Sequence, residues 1–323
     1  MRRLIIDVGG TNLRICYQAN LAEGITHIHY FRCSDFPEIT ICLKEYCDAY
    51  ELQIDLLVIA AAAPISGPKV SITNNGWSFD ARDVAKLINA KAYLLINDFA
   101  AQALACQELL DPKYKVRRDR HLCLRSGQSD CSKPLLICGP GTGLGVSALV
   151  PSEAGPMLVE GEGGHVTYTP RNKVEEKVLV ALATQFPHVS ADRVISGPGL
   201  ERIHHILNGE NKFAHEILAA ALADQAASQQ TVFLMLESFA TVLANAALSF
   251  GSGAGIVVAG GIVPRMTKLL PQSDFFNRFD NHGRLSDFLR VLPIYLSVDP
   301  CAGLRGGAIA PENQNLTKKI VRI

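Results

Sequence analysis

Several short segments of this chain carry side chains whose types and spacing could do chemistry. Asp7 follows the apolar run Leu4-Ile5-Ile6 and opens the turn Val8-Gly9-Gly10-Thr11. A carboxylate there could hold Mg2+ through water, because Mg2+ dehydrates reluctantly and takes few protein ligands; a turn-starting Asp is the alternative. Asn97-Asp98 follows Leu94-Leu95-Ile96 and precedes a helical pattern, so the pair falls at a strand's carboxyl end, where open α/β sheets bind ligands. Asp98 could accept a proton from a substrate hydroxyl and Asn97 could hydrogen-bond a neighbouring one. Both are also preferred helix N-caps. Glu160-Gly161-Glu162-Gly163-Gly164-His165 sets an acid and an imidazole in a glycine loop. That arrangement suits the hydroxyls of a polyol, or simply an exposed turn. Asn74 and Trp77 could edge a site, although a lone Trp is first of all a core residue. Asp192, in Ser190-Ala191-Asp192-Arg193, reads by itself as an exposed helical acid.

Glycine turns supply the second kind of signal. Leu4 to Tyr17 reads strand, Asp7-Val8-Gly9-Gly10-Thr11-Asn12, strand; Leu135 to Leu149 reads strand, Gly139-Pro140-Gly141-Thr142-Gly143-Leu144-Gly145, strand. The echo predicts a duplicated domain whose two hairpin tips address one phosphate-bearing ligand. Glycine permits positive φ and close approach of N–H groups to an anion, and the Thr hydroxyl adds a donor. No G-x-x-x-x-G-K-[ST] occurs, and neither tip is a G-x-G-x-x-G leading into a helix, which excludes a Walker ATPase and a dinucleotide fingerprint. The run Ile256 to Pro264 contains Gly260-Gly261, where a flat ring could lie on bare backbone or a helix could pack close to a strand.

The elements that must position these residues read as alternating strands and helices. Apolar runs at Leu56 to Ala60 and Tyr93 to Ile96 predict buried strands, and the spacing over Ile39 to Tyr50 and Phe99 to Leu110 predicts helices. Parallel strands with crossover helices follow. The basic run between Lys113 and Arg120, with the polar stretch up to Pro134, reads as a solvated boundary.

A chain of 323 residues is about twice the roughly 150-residue domain prior. Thirty-one basic against 31 acidic residues leaves a formal net charge of zero, so neither a generally basic nucleic-acid binder nor an acidic tail is expected. The nine cysteines contain no C-x-x-C pair and read as free thiols, and the apolar stretches read as too short for a signal peptide or a span. A cytoplasmic protein with no nucleic-acid or membrane partner is the expectation.

Together the motifs resemble the bacterial glucokinase family, of the hexokinase, actin and heat-shock-chaperone ATPase superfamily. The likeness runs through Asp7-Val8-Gly9-Gly10-Thr11-Asn12-x-Arg14, Thr73-Asn74-x-x-Trp77, Ile96-Asn97-Asp98-Phe99, Gly139-x-Gly141-Thr142-Gly143-Leu144-Gly145, Gly161-Glu162-Gly163-Gly164-His165, Ser196-Gly197-Pro198-Gly199-Leu200 and Ala259-Gly260-Gly261-Ile262-Val263-Pro264-Arg265. It implies an α/β fold of two duplicated, actin-like (ribonuclease H-like) lobes around an interlobe cleft: a small lobe of residues 1–110 plus 302–323 and a large lobe of 111–301. It also implies ATP-dependent phosphorylation of glucose at the 6-hydroxyl, the first step of glycolysis, with Mg2+ and a homodimer. Asp98 would be the catalytic base. Asn74, Asn97, Glu162, His165 and Asp192 would hold the sugar. Ile6, Asp7, Val8, Gly9, Gly10 and Thr11, with Gly139, Gly141, Thr142 and Gly143, would cradle the phosphates, and Gly260-Gly261 would face adenosine. Where the family has Ser-Ala-Glu-Arg, Asp192 is one methylene shorter, so weaker glucose binding and relaxed choice at C2 are expected. The competing readings are a kinase of another hexose, such as mannose or glucosamine, and a non-catalytic sugar-responsive regulator.

Overall fold

The computed structural model describes residues 1–72 and 76–323. Asn74, expected at the sugar, lies outside the described residues. The chain divides into two compact units, one of Met1–Asp111, Leu149–Val159 and Asp299–Ile323, the other of Pro112–Ala148 and Glu160–Val298.

The first stretch runs β1 (Arg3–Val8), β2 (Asn12–Gln18), β3 (Thr26–Arg32), α1 (Ile39–Tyr50), β4 (Leu56–Ala61), the short pair β5 (Lys69–Ser71) and β6 (Ser78–Asp80), α2 (Ala81–Leu87), β7 (Ala92–Asn97) and α3 (Asp98–Leu104). β1 and β4 are buried at every residue, which explains the unbroken apolar run of β4 and the Leu4-Ile5-Ile6 centre of β1, interrupted only by the buried charges of Arg3 and Asp7: strands covered on both faces have no solvent side to show. β1, β4 and β7 are parallel, while β2 and β3 return antiparallel from β1.

The middle stretch runs β8 (His121–Arg125), β9 (Leu135–Pro140), β10 (Leu144–Val150), β11 (Met157–Gly161), α4 (Lys173–Ala183), α5 (Gly197–Asn208), α6 (Ala214–Leu222), α7 (Ala226–Phe250), β12 (Gly255–Val258), α8 (Phe275–Asp280), α9 (Ser286–Arg290) and β13 (Ile294–Ser297). The chain ends in α10 (Ala302–Ile309), α11 (Gln314–Thr317) and β14 (Val321–Arg322), whose last strand pairs with β7.

Strand order shows the duplication directly. The first sheet is ordered β14-β7-β4-β1-β2-β3 and the second β11-β10-β9-β12-β13-β8. Starting from the third strand of each opening meander, both read three consecutive strands and then two further parallel strands, with one extra strand at the far edge. Each sheet has its own core. Leu4, Ile6, Leu13, Tyr46 and Ile59 lie in one, and Ile137's neighbours Leu136 and Cys138 lie with Val178, Phe239 and Val258 in the other.

Two expectations change. The stretch read as a solvated boundary contributes β8, which adds antiparallel to β13 with His121 buried against it; five residues with little alternation carry no period, and the pairing comes from the partner strand. Among the described residues α7 is the helix long and apolar enough to cross a membrane, with a mean hydropathy of 1.6 over its best window. Its Ser, Thr and Gln residues broke the apolar run in the sequence. Most of that window is buried inside the protein, along with Leu236, Phe239 and Leu243, so α7 is a core helix.

Candidate active site

The chemistry-bearing residues form two groups, one in each unit. In the first, parallel pairing brings the carboxyl ends of β1, β4 and β7 to one sheet edge, with Asp7 level with Ala60 and Asn97 level with Ala61. Asp7, the penultimate residue of β1, is 5% exposed, and the Arg14 guanidinium on β2 donates to its Oδ2 at 3.1 Å. Burial pushes the proton affinity of Asp7 up, and Arg14 opposes that. A β-carbon on Gly303, near the start of α10, would lie 2.5 Å from the same Oδ2, so this glycine leaves the carboxylate its room.

Asn97 caps α3. Its Oδ1 accepts from Phe99 N–H at 2.8 Å, and its Nδ2 donates to Ala63 O at 3.3 Å. The cap and the ligand role need not compete, because each amide atom keeps further capacity. Asp98 Oδ1 also accepts from Phe99 N–H, at 2.9 Å. Removal from water, and then the charge of Asp7, push the Asp98 carboxyl up to about 7. A carboxylate tuned near neutrality is suited to exchange a proton at physiological pH.

Between β1 and β2 the turn is closed by Gly9 N–H donating to Asn12 O at 3.0 Å, while the N–H groups of Gly10 and Thr11 find no acceptor among the described residues. The second unit repeats this. Gly141 N–H donates to Gly143 O at 2.7 Å, and the N–H groups of Thr142 and Gly143 find no acceptor among the described residues. Unengaged, adjacent amides at a hairpin tip form an anion-binding nest. Of the two uses expected of these glycines, positive φ is absent at Gly9, Gly139, Gly141 and Gly143, and close approach occurs at Gly139 and Gly143. A side chain on Gly139 would overlap the carbonyl of Ala259, just past β12. Among the described glycines expected at the site, Gly260 alone has positive φ, at +84°, and a β-carbon there would also strike Pro140 O; Gly261 faces open space, as a ring on bare backbone requires.

The loop carrying Glu162 and His165 packs onto β10 through its glycines. A β-carbon on Gly163 would lie 2.8 Å from the Val146 side chain, and one on Gly164 would overlap Leu144 O. Glu162 and His165 themselves are 71% and 63% exposed, with Oε2 and Nε2 3.9 Å apart. Asp192 lies in a 3-10 turn beside this loop, where Ala191 N–H donates to Val166 O at 2.9 Å. Its Oδ1 accepts from Leu144 N–H at 2.7 Å. Glu162, His165, Asp192 and the tip at Gly141–Gly143 therefore meet around the start of β10. Sequence reading missed Gly303 and the amide of Leu144. Three glycines in the eight residues of α10 were the available signal, since each costs a helix about 1 kcal/mol unless close packing requires it.

Two sheets of one strand order, glycine tips with open amides and a tuned carboxylate at a parallel sheet edge define a phosphotransferase of the sugar-kinase class. The chain belongs to the glucokinase family, whose model, described as Glucokinase, matches residues 4–314. It is 34% identical over 338 aligned positions to the glucokinase of Helicobacter pylori, covering 98% of both chains. It is 32% identical to that of Hahella chejuensis, covering 97% of this chain and 98% of the relative. The crystal structure of glucokinase from an Antarctic psychrotroph superposes with a TM-score of 0.77 at 28% identity, over 95% of this chain and 97% of that one. The chain is an enzyme, a sugar kinase, and glucose phosphorylation is the activity the family supports; another hexose or a regulator is not favoured.

Proposed function

We propose that this enzyme transfers the γ-phosphoryl group of ATP to the 6-hydroxyl of glucose, giving glucose 6-phosphate and ADP. The observation that carries the assignment is Asp98, a carboxyl raised to about 7 at the sheet edge beside Asp7. The hydroxyl oxygen forms a bond to the γ-phosphorus as the bond to the ADP oxygen breaks, and the hydroxyl proton passes to Asp98. Phosphoryl transfer has a loose transition state, so positioning and charge stabilisation carry most of the catalysis. The amides of Gly10, Thr11, Thr142 and Gly143 receive phosphate oxygens, with Gly9, Gly139 and Gly141 shaping the tips and Ile6 and Val8 holding the first one. Gly260-Gly261 receives the adenosine. Asn97, Glu162, His165 and the free oxygen of Asp192 hold sugar hydroxyls, and Asn74 belongs to the same proposal.

Asp7 suits a hydrated Mg2+ brought in with the nucleotide. Arg14 engages one of its oxygens, and no group of three or more His, Cys, Asp or Glu residues able to hold a metal occurs among the described residues. An all-protein metal cage does not fit; a single carboxylate acting through water does. When bound, Mg2+ would neutralise charge on the phosphates. A cytoplasmic homodimer acting at the entry to glycolysis completes the proposal, resting on the family likeness; sedimentation should give twice the chain mass.

A coupled assay should show ADP release that depends on glucose, and release unchanged by glucose would overturn the assignment. The raised carboxyl of Asp98 predicts a pH profile as well. Only the deprotonated form accepts a proton, so kcat/KM for glucose at saturating ATP should fall about tenfold per pH unit well below pH ~7. A profile flat from pH ~5.5 to ~8 would remove Asp98 from the role.

A further inference from the structure

We infer that Asp192 is a positioning residue for the phosphate-binding tip of the second unit, acting through the amide of Leu144. The inference deepens the kinase reading and rests on it in one respect, that this tip receives phosphate.

Three observations place the tip under the control of residues 191–197. Asp192 Oδ1 accepts from Leu144 N–H at 2.7 Å, at the first residue of β10. A β-carbon on Gly143 would lie 2.8 Å from the same oxygen, so the carboxylate rests against bare backbone. On the other flank Gly197 N–H donates to Gly141 O at 3.0 Å. The two amides left open, those of Thr142 and Gly143, sit between these two ties.

The segment making the ties is itself held. Ser196 Oγ donates to Asp192 O at 2.7 Å and accepts from Gly199 N–H at 3.1 Å, capping α5. Ala191 N–H donates to Val166 O and Arg193 N–H to Ser190 O. A short side chain on so fixed a backbone loses little rotamer freedom when it reaches Leu144, less than the longer Glu would. An anionic group near a phosphate site is electrostatically unfavourable for the nucleotide, and a structural return is needed to offset it. A charge-assisted bond to a backbone N–H, stronger than a neutral one, supplies that return by holding the nest in its receptive shape. The Ser-Ala-Asp-Arg stretch thus bears on the nucleotide side of the reaction as well as on the sugar, with Oδ1 committed to Leu144 and the second oxygen left over.

The test is amide hydrogen exchange together with ADP binding by calorimetry, both on the full chain without sugar. D192A should speed exchange at Leu144 by about tenfold or more and weaken the Kd for ADP by about tenfold. D192N keeps an acceptor oxygen but loses the charge, and should fall between wild type and D192A on both. Gly143→Ala displaces the carboxylate from the other side, and should reproduce the D192A changes even if D192A itself fails to fold. The double variant D192A/G143A should lose no more than either single one. Wild-type exchange at Leu144 in D192A, faster exchange with an unchanged Kd, or D192N behaving as D192A would each overturn the inference. A wild-type chain that binds no ADP would instead defeat the kinase reading, and the exchange measurement would still report on the tie.

Discussion

Asp98→Asn should lower kcat by about 10^3-fold and leave glucose affinity within a few-fold of wild type, in line with the usual contribution of a positioned base. The substitution preserves shape. Asparagine keeps an oxygen that can accept from Phe99 N–H, the bond Asp98 Oδ1 makes at 2.9 Å, and retains hydrogen-bonding capacity toward a sugar hydroxyl. What it removes is the proton acceptor. A second consequence separates this from general damage. The carboxyl of Asp98 is raised because burial and the Asp7 charge disfavour its ionised form, so above pH ~7, where the group is ionised in both states, that charge costs the folded chain free energy that it does not cost the unfolded chain. Asn removes that cost. Its Tm should exceed that of wild type above pH ~7, and the difference should shrink as pH falls toward ~4, where Asp98 is protonated in both states. A variant with near-wild-type kcat, or an inactive one whose Tm is lower at pH 8, would argue against this role.

Gly306→Ala should destabilise the first unit by about 1–2 kcal/mol and take activity with it. A β-carbon at 306 would overlap the carbonyl of Ala101, in the middle of α3. Neither backbone can yield alone: Gly307 is pressed against Ile5, where a β-carbon would lie 2.6 Å from Cγ2, and Gly303 against Asp7. Overpacking costs about 1–3 kcal/mol and occasionally more, against which the alanine's helix propensity returns about 1. Because α3 begins with Asp98, any shift between α10 and α3 moves that carboxyl, the proposed base. Gly67→Ala makes the matched control, since a β-carbon there meets nothing within 4 Å. Equal Tm values for the two variants would show that the close approach carries no energy.

Much of this molecule was legible in its residues, for reasons that differ by element. β4 could be found because a strand buried on both faces keeps an unbroken apolar run, β1 by its shorter run Leu4-Ile5-Ile6 before the glycine turn, and α1 because its buried positions, Ile39, Cys42, Leu43 and Tyr46, recur at the helical period. The paired hairpin tips were visible because a glycine turn needs no partner to be recognised. β8 and α7 were not, since one takes its strand geometry from β13 and the other interleaves polar residues that only burial reveals as core. Asp192 illustrates the limit within the site. Its type and motif were plain, but its bond to Leu144 joins residues 48 positions apart.

The sequence by itself determined the two glycine tips, the Asn97-Asp98 and Glu162–His165 segments, and family membership, because each depends on residue types at short spacing. Only the tertiary structure decided which glycines are there for contact and that Asp7 meets Arg14. It also decided that burial and the charge of Asp7 raise the Asp98 carboxyl and that Asp192 Oδ1 accepts from Leu144 N–H. Those properties belong to atoms brought together from distant parts of the chain. Desolvation, charge and steric exclusion act through space, and spacing along the sequence carries no record of them.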